Sequence, residues 1–156
     1  MISCEFEDGN KASLRHVTVD TVVIKDGKVL LVKRNKKLVE GGKWCLVGGY
    51  MERDETITEA AAREAQEESG WKVKNITLLR INDAPHRPAE DRQNVAMVFF
   101  CEADEKVGDA DWESDEQRWF ELDNLPSEDQ IAFDHHDNIR LYQKYLKEKF
   151  PLPAID

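Results

Sequence analysis

With 156 residues, 40% of them apolar and 35% charged, the chain is long enough for one domain with a real core and has the composition of an ordinary globular protein. Its formal net charge of −10 argues against nonspecific binding to a nucleic acid polymer or an anionic membrane, both of which select basic patches. No stretch approaches the roughly 20 apolar residues that span a bilayer, and Met1 to Asp8 lack the basic and apolar segments of a secretory leader, so a cytoplasmic location is expected.

Residues 1–15 carry no clear period and read as an extended lead-in or a short strand. Val17 to Ile24 is rich in β-branched residues, Asp26-Gly27 is a hairpin signal, and Val29 to Arg34 returns as a second strand. Asn35 to Lys43 reads as a loop, and Trp44 to Val47 as a short buried strand that ends at Gly48-Gly49, where a sharp turn is predicted. A helix is predicted from Thr56 or Ile57, with Asp54 or Thr56 as cap, to Ser69-Gly70; Ala60, Ala61, Ala62 and Ala65 let it approach a sheet closely. Lys72 to Ile81 is the next strand, Asn82 to Asn94 a polar loop, Val95 to Cys101 an apolar central strand, and Ala103 to Asp115 an acidic connection. Gln117 to Glu121 is a further strand and Leu125-Pro126 a turn. Apolar residues at helical spacing (Ile139, Tyr142, Leu146) predict a last helix from about His136 to Phe150, before a Pro-containing tail at 151–156. There are no internal repeats and no low-complexity linker, so a single domain over 1–156 is expected. Strands on both sides of a central helix, with a helix at the end, give the α/β or α+β class, a mixed sheet flanked by helices. Cys4, Cys45 and Cys101 are odd in number, widely spaced and without a CxxC pair, which argues against a disulfide framework and a zinc ribbon.

The chemistry is concentrated between Gly49 and Trp71. Glu64, Glu67 and Glu68 stand at i, i+3 and i+4, so all three leave one face of the predicted helix about one turn apart. Like charges at that spacing repel and weaken an isolated helix, and a chain that keeps three together calls for a cation between them. Carboxylate oxygens are hard donors, which selects Mg²⁺ or Mn²⁺ over zinc. An acidic helix face is commonly just a solvated face, and Glu59, Glu90, Glu102, Glu105 and Glu128 read that way. The three glutamates do not, because Gly49, Glu55, Arg63 and Gly70 stand in register with them.

Gly49, Glu55, Arg63, Glu64, Glu67, Glu68 and Gly70 fill every fixed position of the pattern G-x5-E-x7-R-E-U-x-E-E-x-G-U, with U a bulky apolar residue, and the segment resembles the Nudix box. Ala65 and Trp71 depart at the two U positions; these are packing positions, so the departure concerns local packing and not the metal site. The order of elements from about His16 to Phe150 is also similar to that family. The resemblance implies an α/β/α sandwich and a hydrolase in which water attacks a nucleoside diphosphate linked to another moiety. It implies that Glu64, Glu67 and Glu68 are metal ligands, that one of them serves as general base in some members, and that the Gly49 carbonyl completes the metal shell. Arg63 and Glu55 then match the pair that orients the catalytic carboxylates through a salt bridge. A metal held this way bridges phosphate oxygens and lowers the pKa of a bound water.

Outside the box the signals are weaker. Many members of the family carry a glutamate near the position of Glu116 that reaches the metal site or serves as base; Glu113 and Asp115 are rivals, and surface charge is an equal reading of each. Arg34, at a strand end, is placed to meet a phosphate, although such a residue is more often solvated. Arg87 and Arg92, in the polar loop, are candidates for a terminal phosphate or sugar, with an ordinary polar loop as the rival reading. His135 and His136 lack Cys or His partners at ligand spacing and read as caps or surface residues. Trp44, Phe99 and Trp119 fit core positions better than a base-stacking role. Pro85 and Pro88, 14 and 17 residues after Trp71, are a loose match to the proline of ADP-ribose-hydrolysing members. The expected substrate is therefore a small nucleotide, ADP-ribose or a related nucleoside diphosphate sugar, with a (d)NTP as runner-up. A non-catalytic nucleotide sensor is disfavoured by the intact box. The resemblance leaves a homodimer open, and no exposed apolar stripe in the sequence marks an interface.

Overall fold

The computed structural model describes residues 2–87 and 93–155. Where the sequence suggests a lead-in or a single short strand, β1 (Ile2–Glu5) and β2 (Lys11–Leu14) form an antiparallel hairpin, with Gly9 in the left-handed region at its turn. β3 (Val17–Lys25) and β4 (Lys28–Arg34) follow as a second hairpin. Asp26 and Gly27 both have positive φ, as a tight two-residue turn demands. After a loop come β5 (Trp44–Cys45) and β6 (Val47–Tyr50), then the helix α1 (Ile57–Ser69). β7 (Trp71–Asn82), β8 (Val95–Lys106) and β9 (Ser114–Glu121) precede a 3-10 turn at Glu128–Gln130. The chain closes with α2 (His135–Lys147) and β10 (Ala154–Ile155). Among the described residues no helix is long and apolar enough to cross a membrane.

The main sheet runs β10-β7-β8-β3, with β8 parallel to β3 over eight residue pairs and antiparallel to β7. Beyond β3 it forks. β4 pairs with the hairpin end of β3, at Ile24 and Lys25, whereas β6 pairs with the opposite end, from Thr18 to Thr21. β4 carries β5 and β9 with it, and a cavity lies in the fork.

Alternation along β3 sets the layers, because successive side chains point to opposite faces. Val19 packs with Ala60 and Ala61, and Val23 with Ala65, all on α1. Val22 packs with Ile139 and Tyr142 on α2, together with Leu79 and Val98. The result is the α/β/α sandwich expected from the motif. The alternation also places Asp20 on the α2 side.

Several boundaries differ from the sequence reading. Gly48 and Gly49 do not turn; they lie within β6, and the chain reverses only after Tyr50. Glu59 is no idle surface charge: it completes a capping box with Thr56, each side chain bonding the other's backbone N–H. β8 runs on to Lys106, so the acidic connection is shorter than 103–115, and the tail contributes β10 to the edge of β7. Leu146, counted as a helix anchor, is exposed. Trp44 and Phe99 are buried, and Trp119 packs edge-on against Trp71, so all three serve the core.

Candidate active site

Three devices place the acidic face of α1. Thr56 and Glu59 fix its start, and Gly70, left-handed at φ 72°, ends it with its N–H on the Gln66 carbonyl. A Cβ on Gly70 would meet the Gly108 carbonyl oxygen at 2.0 Å, so the 107–113 connection lies directly against the helix end. The Asp111 N–H donates to the Glu67 carbonyl at 2.9 Å and ties that connection down again.

Arg63 organises the carboxylates. Its guanidinium takes Glu55 in a two-pronged contact (2.8 and 3.0 Å), donates through Nη1 to Glu64 at 2.8 Å and Glu67 at 3.0 Å, and through Nη2 to the Tyr50 carbonyl at 3.0 Å. The same contacts hold Arg63 protonated and draw Glu55 below the ordinary carboxylate range. Glu64 is raised instead, chiefly by burial, against the attraction of Arg63. Its carboxylate lies against Gly49, where a Cβ would come within 2.4 Å of Oε1.

Glu68 is only 4% exposed and accepts the Gly48 N–H at 2.9 Å. Burial, with the charges of Glu64 and Glu113 adding to it, pushes its carboxyl up to about 8 despite that hydrogen bond. Glu64, Glu68 and Glu113 thus share one crowded negative field, and all three owe part of their placement to Gly48, Gly49 or the pinned connection. A cation beside them would relieve both the burial and the repulsion, and an all-oxygen donor set suits a hard divalent ion. Among the described residues no three Asp, Glu, His or Cys side chains already stand grouped at ligand spacing. Glu67, half exposed and bonded to Arg63, would have to rotate to join such a site.

A cavity of about 670 Å³ opens beside this face and is lined by Gly48, Gly49, Glu52, Glu64 and Glu113 at its acidic end. Toward α2 it is lined by Asp20, Arg34, Arg87 and His135. Arg34 donates to the Val39 carbonyl at 2.9 Å and lies over the Phe133 ring. Arg87, read as one of two loop cations, has a side chain only 7% exposed and grips Asp134 with two bonds of 2.5 and 3.0 Å. Arg92 lies outside the described residues, as do Pro88 and Glu90. Glu116 bonds Arg118 at 2.5 Å and is not on the cavity wall, whereas its rival Glu113 is.

His135 and His136 are buried, not surface residues, because the start of α2 is driven into the sheet. His135 accepts the Leu46 N–H at 3.0 Å and faces Asp20 at 3.3 Å. Asn82 adds a 2.6 Å bond to Asp134. The sequence reading passes over Asp20, Asn82 and Asp134. The available signal was an aspartate inside an otherwise apolar β-branched run, a polar residue at a position whose neighbours in alternation are core.

A family model described as NUDIX domain matches residues 14–144. An ADP-ribose pyrophosphatase from Methanocaldococcus jannaschii is 35% identical over 132 residues, 83% of this chain and 73% of its own. An oxidized purine nucleoside triphosphate hydrolase from Danio rerio is 36% identical over 130 residues, 82% of this chain and 78% of its own. The crystal structure of a NUDIX hydrolase from Nitrosomonas europaea superposes with a TM-score of 0.79 at 30% identity, covering 94% of this chain and 81% of that one.

Proposed function

Since the chain belongs to the Nudix family, we propose that it hydrolyses the diphosphate bond of a nucleoside diphosphate linked to another moiety, with ADP-ribose or a related nucleoside diphosphate sugar as its preferred substrate. The observation that carries this reading is one cavity with a carboxylate of α1 and Gly48-Gly49 at one end and Arg87 and His135 at the other. Hydrolases of this family generally use divalent metal ions. The ion proposed here is Mg²⁺ or Mn²⁺, held by Glu64, Glu67, Glu68 and the Gly49 carbonyl, where it would supply charge neutralisation of the diphosphate and an activated water.

The chain's own residues do the rest. Arg63 and Glu55 aim the carboxylates and keep them from drifting toward solvent. Glu113, which lines the cavity with Glu64, takes the proton of the attacking water in this reading, a role for which the sequence offered Glu116 with Glu113 and Asp115 as rivals. Arg34, on the wall with its guanidinium backed by Phe133, is positioned to hold a phosphate oxygen. Catalysis then rests on positioning and on stabilising charge, as phosphoryl transfer requires.

The second reading, a (d)NTP pyrophosphohydrolase, is favoured by the Danio rerio relative. Products separate the two: AMP and ribose 5-phosphate from ADP-ribose, against a nucleoside monophosphate and pyrophosphate from a dNTP. Purified protein with Mg²⁺ is expected to turn over ADP-ribose faster than any dNTP, and Glu67→Gln and Glu68→Gln to abolish this while circular dichroism stays unchanged. Absence of metal-dependent turnover on both substrate classes, or undiminished rates in both variants, refutes the reading.

A further inference from the structure

The β1-β2 hairpin has an apolar face that the core does not cover. Its register pairs Ile2 with Leu14, Ser3 with Ser13, Cys4 with Ala12 and Glu5 with Lys11. Side chains alternate along each strand, so Ile2, Cys4, Ala12 and Leu14 share one face, while Ser3, Glu5, Lys11 and Ser13 share the other. Phe6 continues the first face toward the turn, where its N–H donates to the Asn10 carbonyl at 2.9 Å. Ile2, Phe6 and Leu14 are 42, 47 and 44% exposed. Among the described residues, none of the three hydrophobic clusters includes a residue of β1 or β2. A two-stranded sheet that keeps an apolar face in water is marginal by itself, and a second layer over that face stabilises it.

The stem fixes where the face points. Arg15, directly after β2, donates to the carbonyls of Asp83, Gln93 and Asn94. The His16 ring packs against Tyr50 with centroids 5.0 Å apart, and the Met51 N–H donates to the Val17 carbonyl at 3.1 Å. Tyr50 and Met51 are themselves exposed and extend the apolar surface at the base of the hairpin. Five of the ten exposed large apolar side chains among the described residues therefore gather at this end of the chain, as an interaction surface requires.

Charge selects the occupant. A net charge of −10 makes two copies of this chain repel over most of their surface, but the hairpin face carries no charged side chain and meets itself without that penalty. Glu7 and Asp8 stand at the turn, and Arg15, bonded to carbonyl oxygens and to no carboxylate, stands at the stem. A two-fold axis through the middle of the face stacks two hairpins antiparallel and sets the acidic turn of each over the cationic stem of the other. We propose that this face is the dimer interface of the protein, where the hairpin of a second copy supplies the missing layer and completes a four-stranded, two-layer contact. Cys4 and Ala12 form the middle row and lie beside the axis.

With strands of only four residues the face is small beside the roughly 800 Å² a side of a standard interface, so association in the micromolar range is expected. Sedimentation velocity of the whole protein from about 1 to about 200 µM should show monomer passing into dimer and nothing larger. Phe6→Glu and Leu14→Glu place a charge in the contact and should weaken the dimer by about 10-fold or more, whereas Ser13→Glu, on the opposite face, should change it by less than about threefold. A short bis-maleimide should join two wild-type copies through Cys4, since Cys45 and Cys101 are buried, and Cys4→Ser should abolish the link. The cross-link is read on an unaltered hairpin, so it decides the matter even where a glutamate variant unfolds β1 and β2. A monomer at the highest concentration, a mass that climbs past two copies, equal weakening by Ser13→Glu, or a dimer that Cys4 does not link overturns the proposal.

Discussion

The carboxylate of Glu64 occupies the space that a side chain at residue 49 would need: a Cβ on Gly49 would meet Oε1 at 2.4 Å and Oε2 at 2.8 Å. Gly49 has no positive φ, so its role is clearance and not backbone freedom. Gly49→Ala therefore has a movable obstacle, and Glu64 should swing aside. The expected result is a fall in kcat of about 10²-fold and weaker Mn²⁺ binding, with a melting temperature close to wild type. Steady-state kinetics beside calorimetry would check the split.

Gly48 gives the contrasting case. A Cβ there would lie 2.1 Å from the Val19 carbonyl oxygen, on the β3 backbone that pairs with it, and backbone cannot step aside. Gly48→Ala should lower stability by about 3 kcal/mol or more, read as a drop in the urea midpoint.

Arg63 links four groups with one planar fork: Glu55, Glu64, Glu67 and the Tyr50 carbonyl. Lysine keeps the charge and loses the geometry, so it can serve one or two of them at a time. Arg63→Lys is expected to lower kcat by about 10- to 100-fold with little change in KM. A matching double variant with Glu55→Gln should be far less than additive, since both act on the same carboxylates.

The acidic helix, its cap region, the β3-β4 hairpin and the central strand could be read from the chain because each has a local signal: a charge register, a left-handed glycine, an Asp-Gly turn, an apolar run. The sandwich was implied by the resemblance and not by periodicity; in the structure Val19 and Val23 pack on the α1 side and Val22 on the α2 side. What stayed hidden depends on tertiary contact. Whether Gly48-Gly49 bends or runs straight is decided by its pairing with β3 and the approach of Glu64. The start of α2 is polar in sequence, yet Asp134 and His135 are buried because Arg87, Asn82 and Asp20, distant along the chain, supply their partners. Among Glu113, Asp115 and Glu116, strand alternation and the irregular register at Lys33/Arg34 decide which faces the cavity, and spacing from the box carries no such information.

Glu113 and Glu116 make opposite predictions. The first lines the cavity beside Glu64, on a connection pinned by the Asn35 N–H donating to its carbonyl at 2.8 Å. The second pairs with Arg118 on β9. Glu113→Gln is expected to reduce kcat by about 10² to 10⁴-fold if it takes the proton from water, with Mn²⁺ affinity changed much less. Glu116→Gln should stay within about threefold of wild type. Reversed rankings would return the role to Glu116.

Glu68 ties stability to pH in a direction unusual for a carboxylate. Its value in the folded protein, about 8, lies above the ordinary 4.5, so between those limits the folded state holds a proton that the unfolded state has released. Stability from this group is complete below about pH 4.5 and is lost as pH rises through about 8. Each pH unit between the two values is worth at most about 1.4 kcal/mol, so the loss across that window has an upper limit of about 5 kcal/mol. Glu68→Gln cannot ionise yet can still accept the Gly48 N–H, so it should lack the loss. In EDTA, urea unfolding from pH 5 to pH 9 should show the wild type falling steadily relative to the variant; taking the difference cancels groups common to both, including Asp20, whose lowered value acts in the opposite sense. Mg²⁺ should restore the wild type at high pH and leave the variant unmoved, because a cation competes with the proton for the same carboxylate and binds more tightly as pH approaches 8. A wild-type curve parallel to that of Glu68→Gln, with and without Mg²⁺, would mean that this buried carboxylate is neither raised nor a ligand.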